Sequence, residues 1–110
     1  MKKVEALIKP FKLDQVREAL VGLGIDGMSV SEVRALDAHA RSMRYRGSEY
    51  VISFAPEIKI EVVIPDDRLA RCIDTIQHVA ATDDEHGEIV VLPVEDMIRI
   101  RTGEHLAHAA

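Results

Sequence analysis

Apolar and polar residues alternate at the start of the chain, with Val4, Ala6 and Ile8 interleaved by Lys3, Glu5 and Lys9. A period of two predicts a strand with one covered face. Pro10 breaks it, and Leu13, Val16, Ala19, Leu20 and Leu23 then recur at the spacing of one helix face. Gly24 is placed to stop that helix in the left-handed conformation. Val30 and Val33 belong to a second strand that runs into Ala35 and Leu36. The cycle then repeats. Ile58, Ile60, Val62 and Ile64 alternate with Lys59, Glu61 and Val63, and Pro65-Asp66-Asp67 breaks the strand and offers Asp66 as a helix N-cap. Leu69, Cys72, Ile73, Ile76, Val79 and Ala80 form a second apolar stripe. Ile89 to Leu92 reads as a short buried strand, and Ile98 and Ile100 flank Arg99 in a last short one.

This order predicts an α/β fold: a ferredoxin-like βαββαβ sandwich with an extra C-terminal strand, built from two split βαβ units in one domain over residues 1–110. Helices cover one face of such a sheet, and no further helix remains to cover the other. Homo-oligomerisation is the expected solution. The two halves are joined by a polar stretch containing Tyr45-Arg46-Gly47-Ser48-Glu49-Tyr50. At about 15–20 residues it exceeds what neighbouring strands need, which marks it as a contact loop.

Composition narrows the function. The 110 residues are 47% hydrophobic and 30% charged, a globular balance. A net charge of −5 argues against nucleic acid and against an anionic membrane surface as partners. Tryptophan is absent, the only aromatics are Phe11, Tyr45, Tyr50 and Phe54, and Val90 and Val91 stand where an RNA-binding sheet needs stacking rings. No apolar run approaches the roughly 18 residues of a membrane span, and the start lacks a signal-peptide core. A cytoplasmic protein without membrane insertion is expected. The single cysteine, Cys72, excludes an internal disulfide and reads as a structural thiol. An acylphosphatase-type enzyme needs an asparagine, which the chain lacks, and no nucleophile–histidine motif occurs, so no enzymatic activity is expected. His86 beside Asp83, Asp84 and Glu85 matches no standard metal spacing and reads as a solvated acidic loop, so no metal is predicted.

Longer runs carry a family resemblance. They are Met1 to Leu13, Val16-Arg17-Glu18-Ala19-Leu20, Gly24-Ile25, Gly27-Met28-Ser29-Val30, Glu32-Val33, Tyr45 to Tyr50, Lys59-Ile60-Glu61, Val63 to Asp67 and Ile98 to Glu104. On these runs the chain resembles the PII family of nitrogen-regulatory signal-transduction proteins. The resemblance implies a homotrimer with nucleotide clefts between subunits. A projecting T-loop, about residues 36–55 here, would dock on target proteins such as an ammonium transporter or a metabolic enzyme. It further implies a B-loop at about 82–88 and a C-terminal tail at about 102–110, with His105 and His108 in a mobile end or a flap over the cleft. The nucleotide-binding positions carried over are Gly27, Met28, Ser29, Glu61, Val63, Gly87, Glu88, Arg99 and Arg101. Alternation along the expected last strand puts the two arginines on one side, where they act as a pair; the alternative is two solvated arginines on an edge strand. Tyr50 matches the tyrosine uridylylated in enteric relatives, and Ser48 a serine phosphorylated in some photosynthetic ones. Both also fit a plain exposed loop tip.

The departures fall on the chemistry. The family's phosphate loop resembles Thr-Gly-x-x-Gly-Asp-Gly-Lys, whose small residues let backbone N–H groups approach phosphates. Here the stretch is Thr82-Asp83-Asp84-Glu85-His86-Gly87-Glu88, shorter, with Glu88 in the lysine's place. A triphosphate carries about four negative charges, and like charges about 4 Å apart repel by about 1 kcal/mol even in water. ADP or AMP is therefore expected to bind in preference to ATP. The family's 2-oxoglutarate site uses a glutamine in the T-loop and a lysine beyond it. This chain has no glutamine there, and Glu57 occupies the lysine position. Loss of 2-oxoglutarate sensing is expected. An alternative expectation is a regulator of inorganic-carbon metabolism that co-senses bicarbonate and acts on a bicarbonate-related protein; the remaining one is ordinary ATP- and 2-oxoglutarate-responsive nitrogen regulation.

Overall fold

The computed structural model describes residues 1–25, 27–36, 42–45, 48–51, 54–83 and 87–106, with 36, 42–45, 48–51 and 54–55 described by backbone alone. In chain order the elements are β1 (Lys2–Ile8), α1 (Leu13–Gly22), β2 (Met28–Leu36), β3 (Ser42–Tyr45), β4 (Ser48–Val51), β5 (Phe54–Ile64), α2 (Leu69–Ala80) and β6 (Glu88–Pro93). β2, β5, β1 and β6 lie side by side in that order, antiparallel throughout. With the β3–β4 ribbon set aside, this is the ferredoxin-like strand order that the alternating patterns predict.

Register explains the core. Val4, Ala6 and Ile8 of β1 lie opposite Val62, Ile60 and Ile58 of β5, so both apolar sets face the same way. α1 and α2 pack side by side on that face and contribute Val16, Leu20, Cys72 and Ile76 to a continuous core. Each such fully buried side chain contributes about 1.5–3 kcal/mol. Cys72 is completely buried, and burial pushes its thiol up from the ordinary range, as expected of a structural cysteine.

Each half opens its helix in the same way. Pro10–Lys12 and Asp66–Arg68 form 3-10 turns ahead of α1 and α2, closed by Lys12 N–H to the Lys9 carbonyl (2.9 Å) and Arg68 N–H to the Pro65 carbonyl (3.1 Å). The inserted turn moves Asp66 one turn ahead of α2, so it does not cap that helix. Its carboxylate pairs instead with the Met1 ammonium at 2.9 Å, which holds it below the usual carboxylate range. At the other end of α1, Gly24 adopts φ +81°. Ile25 N–H reaches the Leu20 carbonyl (3.0 Å) and Gly24 N–H the Val21 carbonyl (2.9 Å). This Schellman stop brings Ile25 onto Leu20 in the core.

Three other elements differ from the periodicity. β2 and β5 run on to pair Leu36 with Phe54, and inside the polar stretch β3 and β4 pair as a separate ribbon. Ser48 and Tyr50 lie on β4, opposite Tyr45 and Met43. Residues 37–41, 46–47 and 52–53 of the T-loop, 84–86 of the B-loop and 107–110 of the tail, with His108, lie outside the described residues. Among the described residues β6 pairs only with β1 and is an edge strand, so Val90, Val91 and Leu92 are exposed and not buried as its sequence implies. The last strand shrinks to one bridge, Ile98 to His105, because the chain reverses at residues 100–102. Gly103, at φ +72°, donates its N–H to the Arg99 carbonyl (2.7 Å) and closes that reversal.

Candidate functional site

Residues directly opposite in a ladder share a face, so the register maps the uncovered side of the sheet. One row across the four strands reads Ser29, Glu61, Glu5, Val90. The next reads Ser31, Lys59, Leu7, Glu88. On the other side of the first row lie Val63, Lys3 and Leu92. Four charged side chains interlock at the centre: Lys3 Nζ lies 3.0 Å from Glu61 and 3.3 Å from Glu5, and Lys59 Nζ lies 3.5 Å from each. The hydrogen bond from Lys3, with Lys59 adding attraction, holds the Glu61 carboxyl below its usual range. Hydrogen bonding to Glu61, and then to Glu5, raises the Lys3 ammonium above its own. Glu61 therefore enters any ligand contact already engaged by lysines.

The nine candidate nucleotide residues occupy three places. Gly27, Met28, Ser29, Glu61 and Val63 gather where β2 meets β5. Ser29 faces the open side beside Glu61, whereas Met28 lies opposite Val62 and packs its side chain against the core. Gly87 and Glu88 stand at the start of β6, on the far edge of the sheet, about 14 Å away at three strand spacings. Gly87 has φ +114°, and a Cβ there would meet the Leu7 carbonyl oxygen at 3.2 Å, so the position needs glycine on both counts. Arg99 and Arg101 belong to the C-terminal reversal, which begins at the opposite end of β6, about 17 Å along the strand from Glu88. Val94 N–H to the Met1 carbonyl (3.3 Å) anchors the chain there.

That reversal is closely tied. His105 Nδ1 lies 2.6 Å from Asp96 Oδ2, and the other Asp96 oxygen accepts from Met97 N–H at 2.8 Å. Arg99 N–H donates to the Glu104 carbonyl (2.9 Å), and Leu106 N–H to the Met97 carbonyl (2.7 Å). His105 is thus part of a clasp and not of a free end. Strand alternation does not govern the arginines, since Arg101 sits in the turn itself; both are exposed. Arg99 Nε lies 3.9 Å from Glu104, while Arg101 makes no ion pair among the described residues.

Two features go beyond the sequence patterns, the burial of Glu57 and a cavity beside α2. Glu57 is buried, 5% exposed, at the start of the core part of β5 and opposite Val33, with no ion pair among the described residues. A carboxylate in that position opposes an approaching dicarboxylate. The second feature is a cavity of about 470 Å³ between the second half of α2 and the Leu7 and Gly87 ends of β1 and β6. Its walls are largely apolar, with Ile73, Ile76 and Ile89 among them, and Lys9 and Glu88 supply its charge. Ile89 was legible as part of an apolar run, but a cavity beside it depends on how α2 crosses the sheet, which no spacing encodes.

Comparison with known proteins agrees with this architecture. The family model described as nitrogen regulatory protein P-II matches residues 1–104. The chain is 51% identical over 106 residues to nitrogen regulatory protein P-II 1 of Escherichia coli strain K12, covering 94% of this chain and 95% of the relative. It is 50% identical to nitrogen regulatory protein P-II of Haemophilus influenzae and 49% identical to that of Pasteurella multocida, with the same coverage. Sheet order, helix placement and near full-length similarity agree: the chain belongs to the P-II family of nitrogen regulatory proteins.

Proposed function

We propose that this protein is a trimeric, cytoplasmic signal-transduction regulator that binds adenylates between subunits, ADP or AMP in preference to ATP. It acts through the segment 36–55 on a target such as an ammonium transporter or a metabolic enzyme. The observation that carries the reading is the dispersal of the candidate residues. Ser29, Glu61 and Val63 at one edge, Gly87 and Glu88 at the other, and Arg99 and Arg101 beyond the end of β6 cannot surround one ligand within a single chain. Opposite edges of neighbouring copies can bring them together. Glu88 beside Gly87 then sets the rank, since an exposed carboxylate at the phosphate end opposes each added phosphate charge. Calorimetric titration tests it: ADP or AMP should bind at least as tightly as ATP, Arg101→Ala should weaken every adenylate, and Glu88→Lys should improve ATP selectively. A tenfold or so preference of the wild type for ATP would contradict the assignment.

The burial of Glu57 favours a second reading of the effector. An acid at the base of the T-loop disfavours 2-oxoglutarate, whereas a small monoanion such as bicarbonate asks less of the site and can sit against an arginine and a bound nucleotide. In that reading the protein serves inorganic-carbon metabolism, through a bicarbonate-related target. Linkage requires bicarbonate and ADP to tighten each other by the same factor. ADP titrations with and without bicarbonate, at fixed pH and ionic strength, should therefore differ; equal affinities would exclude co-sensing.

A further inference from the structure

The C-terminal reversal carries both candidate phosphate-binding arginines, yet none of its described residues joins the core. From Ile98 to His105 every residue is exposed. Its shape therefore rests on its own short bonds. Arg99 N–H to the Glu104 carbonyl (2.9 Å) and Gly103 N–H to the Arg99 carbonyl (2.7 Å) close the tip, and Leu106 N–H to the Met97 carbonyl (2.7 Å) closes the base. Two short arms joined in this way are at best marginally stable by themselves. A side-chain contact at the base then decides how often the reversal is formed. His105 Nδ1 lies 2.6 Å from Asp96 Oδ2, beside the bridge between Ile98 and His105. An ionised carboxylate only accepts, so Nδ1 carries the proton and donates it. Asp96 takes the Met97 N–H at 2.8 Å through its other oxygen, so one carboxylate fixes the start of one arm and the end of the other. Val94 N–H to the Met1 carbonyl (3.3 Å) ties the chain just before Asp96 to the start of β1.

We infer that Asp96 and His105 are positioning residues for adenylate phosphates: their clasp holds the reversal in the shape that presents Arg99 and Arg101, without either residue touching the ligand. The inference rests on the adenylate reading above and adds two residues to it. Guanidinium forks recognise phosphate oxygens through fixed, planar geometry, so two of them serve one ligand only while the backbone between them keeps its course. Arg99 is held at three points, by its N–H, its carbonyl and its Nε, which lies 3.9 Å from Glu104. All three partners lie between residues 103 and 104, the stretch that His105 anchors to Asp96. Releasing that anchor frees the arm opposite Arg99 and with it the turn that carries Arg101. The cost should fall on phosphate contacts and spare the adenosine end at β2 and β5.

Titrations of the full chain followed by nuclear magnetic resonance, with ADP and with adenosine, test the clasp. His105→Ala and Asp96→Ala should each raise the ADP dissociation constant about fivefold or more, because apparent affinity falls with the fraction of protein in which the reversal is formed. His105→Asn keeps an N–H donor near the position of Nδ1 and should stay within about twofold of wild type. Adenosine should bind wild type and all three variants alike. Hydrogen exchange at the Gly103 and Leu106 amides should speed up in His105→Ala and not in His105→Asn, while the Leu20 and Ile60 amides of the core keep their protection. An unchanged ADP affinity in His105→Ala would overturn the positioning role and leave the adenylate reading standing. An equal loss for adenosine and ADP would also overturn it, since the clasp would then act on the fold as a whole. Wild-type ADP affinity in Arg101→Ala would overturn both readings.

Discussion

The Lys3–Glu61 pair shows how single residues tune the open face. Glu61 has a folded pKa below its ordinary 4.5, so its contribution to stability is present above that value and is lost as pH falls through the lower, folded one. Lys3 is raised above 10.5, so its contribution is complete below 10.5 and is lost only as pH rises past the folded value. The melting temperature of wild type minus that of Glu61→Gln should therefore stay level from about pH 5 to 9 and collapse below about pH 4. A difference that persists in acid would mean that Glu61 acts through packing and not through its charge. Both groups are partly solvated, so the level difference should be small and should shrink further with added salt. The lattice was only half visible in the sequence. Alternation places Lys3, Glu5, Lys59 and Glu61 on outward positions, but the register that interlocks them comes from pairing β1 with β5. Glu57 was legible as an unusual charge at its position, while its burial depends on what surrounds it.

At the level of elements, the core strands and both helices follow from period-two and helical spacing, since Val4 to Ile8, Ile58 to Ile64 and the two apolar stripes admit few alternatives. The edges of the fold were less legible. β6 looks buried because Ile89 to Leu92 are apolar, yet an edge strand keeps apolar residues exposed where a second chain can meet them. The C-terminal reversal was hidden by turn chemistry: Gly103 in the left-handed region overrides the alternation of Ile98 and Ile100. The β3–β4 ribbon has only four residues in each strand, too few for alternation to announce it. Its attachment gives a prediction, because β2 and β5 already pair as far as Leu36 and Phe54. Replacing residues 37–53 by an Asn-Gly turn should close an ordinary hairpin. The shortened protein should keep its melting temperature within a few degrees, measured by circular dichroism, while losing pull-down of its target. A large drop in melting temperature would show that the segment also supports the sheet.

For the whole molecule, the helices cover one face of the sheet, and among the described residues nothing covers the other face or the β6 edge, which is where the proposed trimer would close. Light scattering at micromolar concentration should give about three chain masses. A stable monomer would remove the proposed intersubunit site along with the assembly.

The open face also has a thermal consequence. Two lysines and two glutamates hold one another in a neutral square at its centre. Covering such a square strips water from four ions, a cost that lessens as temperature rises because the hydration of charged groups becomes less favourable. An interface closed over this face should loosen in the cold and hold on warming further than its apolar area alone would allow.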